Sequence, residues 1–336
     1  MKLFNLFIVL LLGLFMLVSC GKPTTPVYIE PIGDGGYTIV SRFVTSGYAQ
    51  DIVKKDNYVY IAQGEGGLMI IDVANPAQPE GVSTTTDGVR GYSSNIAMKD
   101  SVIYLGAGSF GVTVLNVSNP NIPIVTAANT SMKPAKNLHV LGDYLFTAIS
   151  EQGVKIAKIS YPTQPDPRGG MSTSGYAHGI ATTIDSNYLL VACGEMGLSI
   201  FNISDFDNGF GVYPLTGWGD TPGYAEDVTI LDSESLAFMA CGTAGLQIVD
   251  FSDSTNVHVV GGYDGLGYAK SLIYSNQKIF LTAEKGGLQI IDVSDATNPD
   301  LIGLVVTEYA LGIDADENFI YVADEIEGLV TVSIPH

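Results

Sequence analysis

One unit, written seven times, governs what this chain can become. It opens Tyr-Ala-x-Asp-apolar at Tyr48-Ala49-Gln50-Asp51 and Tyr224-Ala225-Glu226-Asp227, with looser copies starting at Tyr92, Pro134, Tyr176, Tyr268 and Tyr309. Further into each copy a glycine precedes an apolar run, at Gly67, Gly111, Gly153, Gly197, Gly245, Gly287 and Gly328. Internal repeats at a period of about 41 to 48 residues match supersecondary units that cannot bury their faces alone.

Each copy reads as four short β segments. In the first, residues 51–54 start an inner strand, 55–57 turn, and 58–62 alternate as a second strand. The glycines at 64, 66 and 67 supply a tight hairpin, residues 68–73 a third strand, and 81–85 a fourth after Asn75-Pro76. Val, Ile and Tyr dominate these segments, as a buried pleated surface requires. The seventh copy stops after its third strand at Ile334, while residues 37–45 (YTIVSRFVT) precede the first copy as an orphan fourth strand. Pairing 37–45 with 329–334 closes a ring. The fold class expected is therefore all-β: a seven-bladed β-propeller of four-stranded antiparallel blades, closed by the N-terminal strand.

The third-strand runs carry a resemblance to a known family. Leu68-Met69-Ile70-Ile71-Asp72-Val73, Leu246-Gln247-Ile248-Val249-Asp250 and Leu288-Gln289-Ile290-Ile291-Asp292-Val293, with Asn-Pro beginning at Asn75, Asn119 and Asn298, resemble the LVIVD-repeat proteins. The third copy, with Ile156-Ala157-Lys158, is the poorest match, and the WD40 pattern is absent. The resemblance implies the propeller fold and a cell-surface or envelope setting, and no activity.

The N-terminus points the same way. Lys2 precedes an apolar run from Leu3 to Val18, and Leu17-Val18-Ser19-Cys20 closes it. This resembles the lipobox of bacterial lipoproteins, which implies residues 1–19 as a signal peptide and a lipid on Cys20, the membrane anchor. Residues 20–36 are then anchor and linker, and 37–336 the propeller. The alternative is a transmembrane helix, against which stand the short run and the polar, Pro-rich residues 22–26. The expected location is the bacterial cell envelope, with the outer membrane favoured and its periplasmic or surface side left open. A net charge of −20 repels phosphate backbones, so nucleic acid is not an expected partner.

Motifs for chemistry are sparse. None of His139, His178, His258 and His336 has metal-ligand spacing, and neither a metal nor a cofactor is expected. Gly106 to Gly111 matches G-x-G-x-x-G, but a strand follows where a dinucleotide site needs a helix. Cys193 and Cys241 take equivalent places in neighbouring blades, too far apart for a disulfide. Asp205 to Gly209 and Asp314 to Asn318 are acidic, but lack the full calcium-loop spacing.

Two features remain. The residue after Tyr-Ala varies while its frame repeats: Gln50, Ser94, Lys136, His178, Glu226, Lys270 and Leu311 should ring one mouth of the central channel. Variation in a repeated frame suits ligand specificity, and suits unconstrained solvent positions too. The fourth copy also carries an extension over residues 208–222 with Tyr213 and the sole tryptophan, Trp218, expected in a loop returning to that mouth. The ligand-binding candidates are thus Trp218, Tyr213, Gln50, His178, Glu226 and Lys270. The leading expectation is a non-catalytic envelope binding or scaffold module for a protein or extracellular glycan. The alternative is a carbohydrate-active hydrolase or lyase at the channel mouth, with Glu226, His178 and Asp227 as acid/base candidates.

Overall fold

The computed structural model describes residues 33–205 and 213–335, and within them 28 strands, β1 to β28, form seven four-stranded antiparallel sheets. The first blade has β2 (Asp51–Lys55) innermost, then β3 (Tyr58–Ala62), β4 (Leu68–Asp72) and β5 (Glu80–Thr85). Each inner strand contacts the inner strands of the blades on either side, β2 touching both β6 (Asn95–Lys99) and β26 (Ala310–Ala315), so the circle is complete. In the last sheet β1 (Ile39–Phe43) pairs with β28 (Gly328–Ser333), which is followed by β27 (Phe319–Asp324) and then β26, with Phe43 opposite Leu329 and Arg42 opposite Val330. The chain's two ends share one blade.

Local sequence explains each blade. The aspartate that ends the third strand is a turn former. In blade one, Asp72 Oδ1 accepts a hydrogen bond from the Ala74 amide at 2.8 Å, and Asp250 and Asp292 receive Ser252 and Ser294 in the same way. Asn202 does so in blade four. The third and fourth strands slip by one residue at the same place in each of the first six blades, as between Ile70 and Ile71, a recurrent bulge that adds twist.

The faces between blades form the core. Between blades three and four lie Phe146, Ile156, Val191 and Phe201; between five and six, Phe238, Ile248, Leu272 and Leu281. All are almost wholly buried. Because the hydrophobic effect scales with apolar area removed from water, a ring of such faces stabilises units that are unstable singly.

The repeated Tyr-Ala clasps one blade to the next. Ala225 and Gly194 exchange backbone hydrogen bonds at 3.0 and 3.1 Å, and equivalent bridges join Gly64 to Ser93, Gly108 to Ala135, Ser150 to Ala177, Gly242 to Ala269 and Glu284 to Ala310. The tyrosine then covers the hairpin of the blade before it. At Gly194 (φ +57) an added Cβ would lie 2.8 Å from the Tyr224 ring, so this hairpin needs glycine for both its backbone and its lid.

Candidate functional site

At the end of the ring where inner strands begin, all seven variable residues line one cavity of about 200 Å³. Gln50, Ser94, Lys136, His178, Glu226, Lys270 and Leu311 come to it from seven separate blades. Beneath them a second tier, including Asp51, Asn95, Asn137, Asp227 and Ser271, continues the wall.

On blades four to six the ring is closed on itself. Glu226, with 8% of its side chain exposed, accepts hydrogen bonds from the Tyr268 hydroxyl on Oε1 and from Lys270 Nζ on Oε2, both at 2.8 Å. His178 Nδ1 lies 3.4 Å from Glu226 Oε2, and its Nε2 is 3.0 Å from the Tyr224 hydroxyl. Burial lowers the pKa of His178 more strongly than the Glu226 charge raises it. The imidazole is therefore held neutral, with its acceptor nitrogen on one neighbour and its donor nitrogen on the other.

The second tier ties blades together. Asp51 Oδ1 accepts from the Ile52 amide at 2.9 Å, and its Oδ2 from the Ile96 amide of the next blade at 3.0 Å. Asp227 does the same with Val228 on one oxygen and with Leu272 and the Ser271 hydroxyl on the other. Burial pushes these carboxyls up, to about 7 for Asp51 and about 6 for Asp227, against those amide donors. The blade preceding each of these two carries glycine there. A Cβ on Gly179 would meet Asp227 Cα at 2.5 Å, and one on Gly312 would meet Asp51 Cα at 2.6 Å. Close approach of backbones, not catalysis, accounts for both departures from the repeat.

Two expectations need correction. Trp218 is not in a loop returning to the mouth. It sits in β17 (Leu215–Gly219), the outermost strand of blade four, opposite Ser199, and its Nε1 donates to the Met196 carbonyl at 2.7 Å. Tyr213, ahead of that strand, packs against the apolar cluster between blades three and four. Neither lines the mouth cavity, and they share no platform. Residues 215–219 hydrogen-bond as a fourth strand, with Trp218 in register with the third, and edge pairing outweighs the loop character their glycines suggested.

The remaining candidates are structural. Asp314 accepts from the Lys54 and Ala315 amides, and Asp316 from the Asn318 and Phe319 amides and the Tyr321 hydroxyl. No cluster of His, Cys, Asp or Glu suited to a metal occurs among the described residues. Residues 106–111 end β7 (Val102–Gly106) and form the hairpin into β8 (Val112–Asn116). Cys193 and Cys241 are free, buried thiols, pushed up by burial to about 11 and about 12. His139 is held down at about 4 by burial, with Nε2 2.9 Å from the Thr182 hydroxyl. His258 Nδ1 lies 2.8 Å from the Asn256 carbonyl. Cys20, His336 and Asp207 to Gly209 lie outside the described residues. No helix among the described residues is long and apolar enough to cross a membrane.

A larger cavity, about 1000 Å³, opens at the other end of the ring, where Gly35, Tyr37 and Pro335 meet Lys278, Phe280 and Glu317. Tyr37 packs edge-on to Phe280, ring centres 5.8 Å apart. Sequence reasoning missed it, because its walls come from scattered segments that share no repeated position.

Comparisons with known proteins agree with this architecture. The family model described as LVIVD repeat matches residues 46–87, 134–172, 222–265, 267–307 and 309–334. The third copy is thus matched in spite of Lys158, while the second and fourth fall outside the matched ranges. No curated protein matches the chain. Among solved structures, the WD40 β-propeller domain of Doa1 superposes with a TM-score of 0.69 at 11% identity, covering 90% of this chain and 98% of that one. The computationally designed Ika8 protein gives 0.61 at 10% identity, over 85% and 83%. These likenesses show a shared fold.

Proposed function

Because the chain belongs to the LVIVD repeat family, a propeller repeat whose fold suits a binding or scaffold module, we propose that it is a cell-envelope lipoprotein, tethered through Cys20, that presents its channel mouth to an envelope protein or extracellular glycan. One observation carries this reading: the most variable position of the repeated Tyr-Ala-x-Asp frame converges from seven blades on a single cavity. A frame that repeats for structural reasons leaves its variable position free for recognition.

Residues 33–37 lie at the end opposite the mouth, where Gly35 and Tyr37 line the other cavity and β1 then runs toward the mouth. Lipid on Cys20 supplies the membrane affinity that a chain of net charge −20 lacks.

The hydrolase or lyase reading draws on Glu226 beside His178. Against it, both Glu226 oxygens already accept hydrogen bonds from Tyr268 and Lys270, and the Asp227 oxygens are occupied by three donors. Such groups are positioned as structure rather than poised for proton transfer.

The test uses the chain as bait in envelope extract, beside a Gln50→Ala/Lys136→Ala variant at the mouth and an Ile122→Ser/Tyr161→Ser variant on the far loops. Loss of a partner by the mouth variant alone is expected. Loss by the far-loop variant alone would move the binding surface to the other end. Radiolabelled fatty acid should enter the wild type and not Cys20→Ala.

A further inference from the structure

A donor and acceptor inventory of the mouth narrows the ligand's chemistry. The three carboxylates around it are engaged: Asp51 by two amides, Asp227 by two amides and a hydroxyl, and Glu226 by a phenol and an ammonium. None offers the cavity a free, strongly accepting edge. The side chain of Lys136, exposed on blade three, makes no hydrogen bond or ion pair to any described residue. An ammonium carries three donors and no acceptor. The Asn137 amide beneath it and the Gln50 amide across the arc add further donors to the same wall.

The reason Lys136 is free lies in its neighbour. His178 and Glu226 are each clasped by the tyrosine of the following blade. The tyrosine following Lys136, Tyr176, turns instead to the hairpin, its hydroxyl donating to Glu151 Oε1 at 3.0 Å. Pro134 stands where blade three would have supplied a hydroxyl to Ser94. Blades one to three thus keep their mouth groups unspent.

Resting on the reading of the mouth as the binding surface, we propose that it takes a carboxylate-bearing glycan, with a uronic-acid carboxylate on Lys136 and neighbouring sugar faces on Tyr48 and Tyr92. Those tyrosines stand two residues before Gln50 and Ser94, and keep 60% and 39% of their surface exposed. An aromatic face backed by hydrogen-bond donors suits a sugar ring, whose C–H face stacks while its oxygens accept. The cavity, about 200 Å³, has room for one such unit at a time, so the rest of the chain lies across the rim.

The experiment is calorimetry on the full-length protein in detergent, with an oligogalacturonate of four residues, its methyl ester, and a short peptide with a free C-terminal carboxylate. The acidic oligosaccharide should bind at least tenfold more tightly than its neutral ester. Lys136→Met should weaken it at least tenfold with an unchanged melting temperature, while Lys136→Arg retains most of the affinity. Equal binding of acid and ester, indifference to Lys136→Met, or no binding of the oligosaccharide would overturn the proposal. Preference for the peptide overturns the glycan assignment. In either of the last two cases, retention of an envelope partner by the wild type but not by the mouth variant would leave the mouth itself standing as the binding surface.

Discussion

The two halves of the mouth carry one frame to opposite outcomes. On blades four to six, His178, Glu226 and Lys270 form a closed network completed by Tyr224 and Tyr268. On blades one to three, Gln50, Ser94 and Lys136 occupy the same positions without comparable partners, Gln50 and Ser94 making only contacts of 3.4 Å. For Ser94 and Lys136 what differs is the following blade: Pro134 or a diverted Tyr176 leaves them open, while tyrosines aimed at the mouth close on His178 and Glu226. A variable position in a repeat is therefore not functional by virtue of varying. Its neighbour decides whether it becomes structure or stays available.

The strongest way to break this comparison is at the glycines that let inner strands meet. Gly179→Ala puts a carbon 2.5 Å from Asp227 Cα, and Gly312→Ala puts one 2.6 Å from Asp51 Cα. Neither contact is with the far end of a flexible side chain, so the strands must part. Each substitution should cost about 1–3 kcal/mol in urea denaturation. Asn137→Ala, at the equivalent place in the open half, should cost far less. Equal effects at Gly179 and Asn137 would mean the halves are packed alike.

Next in size is the boundary between the halves. Tyr213 packs into the cluster between blades three and four, so Tyr213→Ala should lower stability by about 2 kcal/mol, the low end for a large apolar side chain lost from a core. Trp218 is 45% exposed and keeps one backbone hydrogen bond, so Trp218→Ala should cost about 1 kcal/mol. Neither should alter binding at the mouth, as measured with the same glycan panel. A large loss of binding with stability intact would restore the tryptophan as a recognition residue.

Sequence made the ring legible because its causes are local and repeated. The hairpin glycines, the strand-ending aspartates and the Tyr-Ala clasp recur at matching positions, and the orphan segment 37–45 reveals the closure. The mouth's membership was legible for the same reason: one position per copy. Its internal division was not. That Tyr176 donates to Glu151 instead of turning its hydroxyl to Lys136 is encoded by no pattern within one blade. The place of Trp218 was misread because Gly217 and Gly219 look like a loop in sequence, yet pair as strand against β16 (Leu198–Asn202) once a third strand is present to receive them.

The closed half can be sharpened through its histidine. Removing the carboxylate in Glu226→Gln deletes the negative charge that raises the His178 pKa, so that pKa, already below the ordinary 6.5, should fall further, as followed by imidazole proton shifts. The sign for stability follows. A histidine with a depressed folded pKa contributes stability above about 6.5, and that contribution is lost as pH falls toward the folded value. Acid should therefore destabilise the wild type through His178, and His178→Gln should flatten that part of the profile. The loss of the Lys270 pair itself should be modest, about 1 kcal/mol, because Lys270 is 38% exposed and water replaces much of it.

The smallest effects belong to the open half, and they test the comparison most directly. Gln50→Ala and Ser94→Ala remove side chains whose polar contacts are long, 3.4 Å to the Ala49 carbonyl and 3.4 Å to Asn95 Oδ1. Hydrogen bonds of that length contribute little, and surface substitutions away from special features stay within about 0.5 kcal/mol. Both variants should melt with the wild type in a thermal scan, in contrast to the substitutions on blades four to six. A drop of several degrees for either would show that blades one to three are also held by their mouth residues. The distinction between a spent and an unspent half would then fail, and with it the reason for placing the ligand over Lys136.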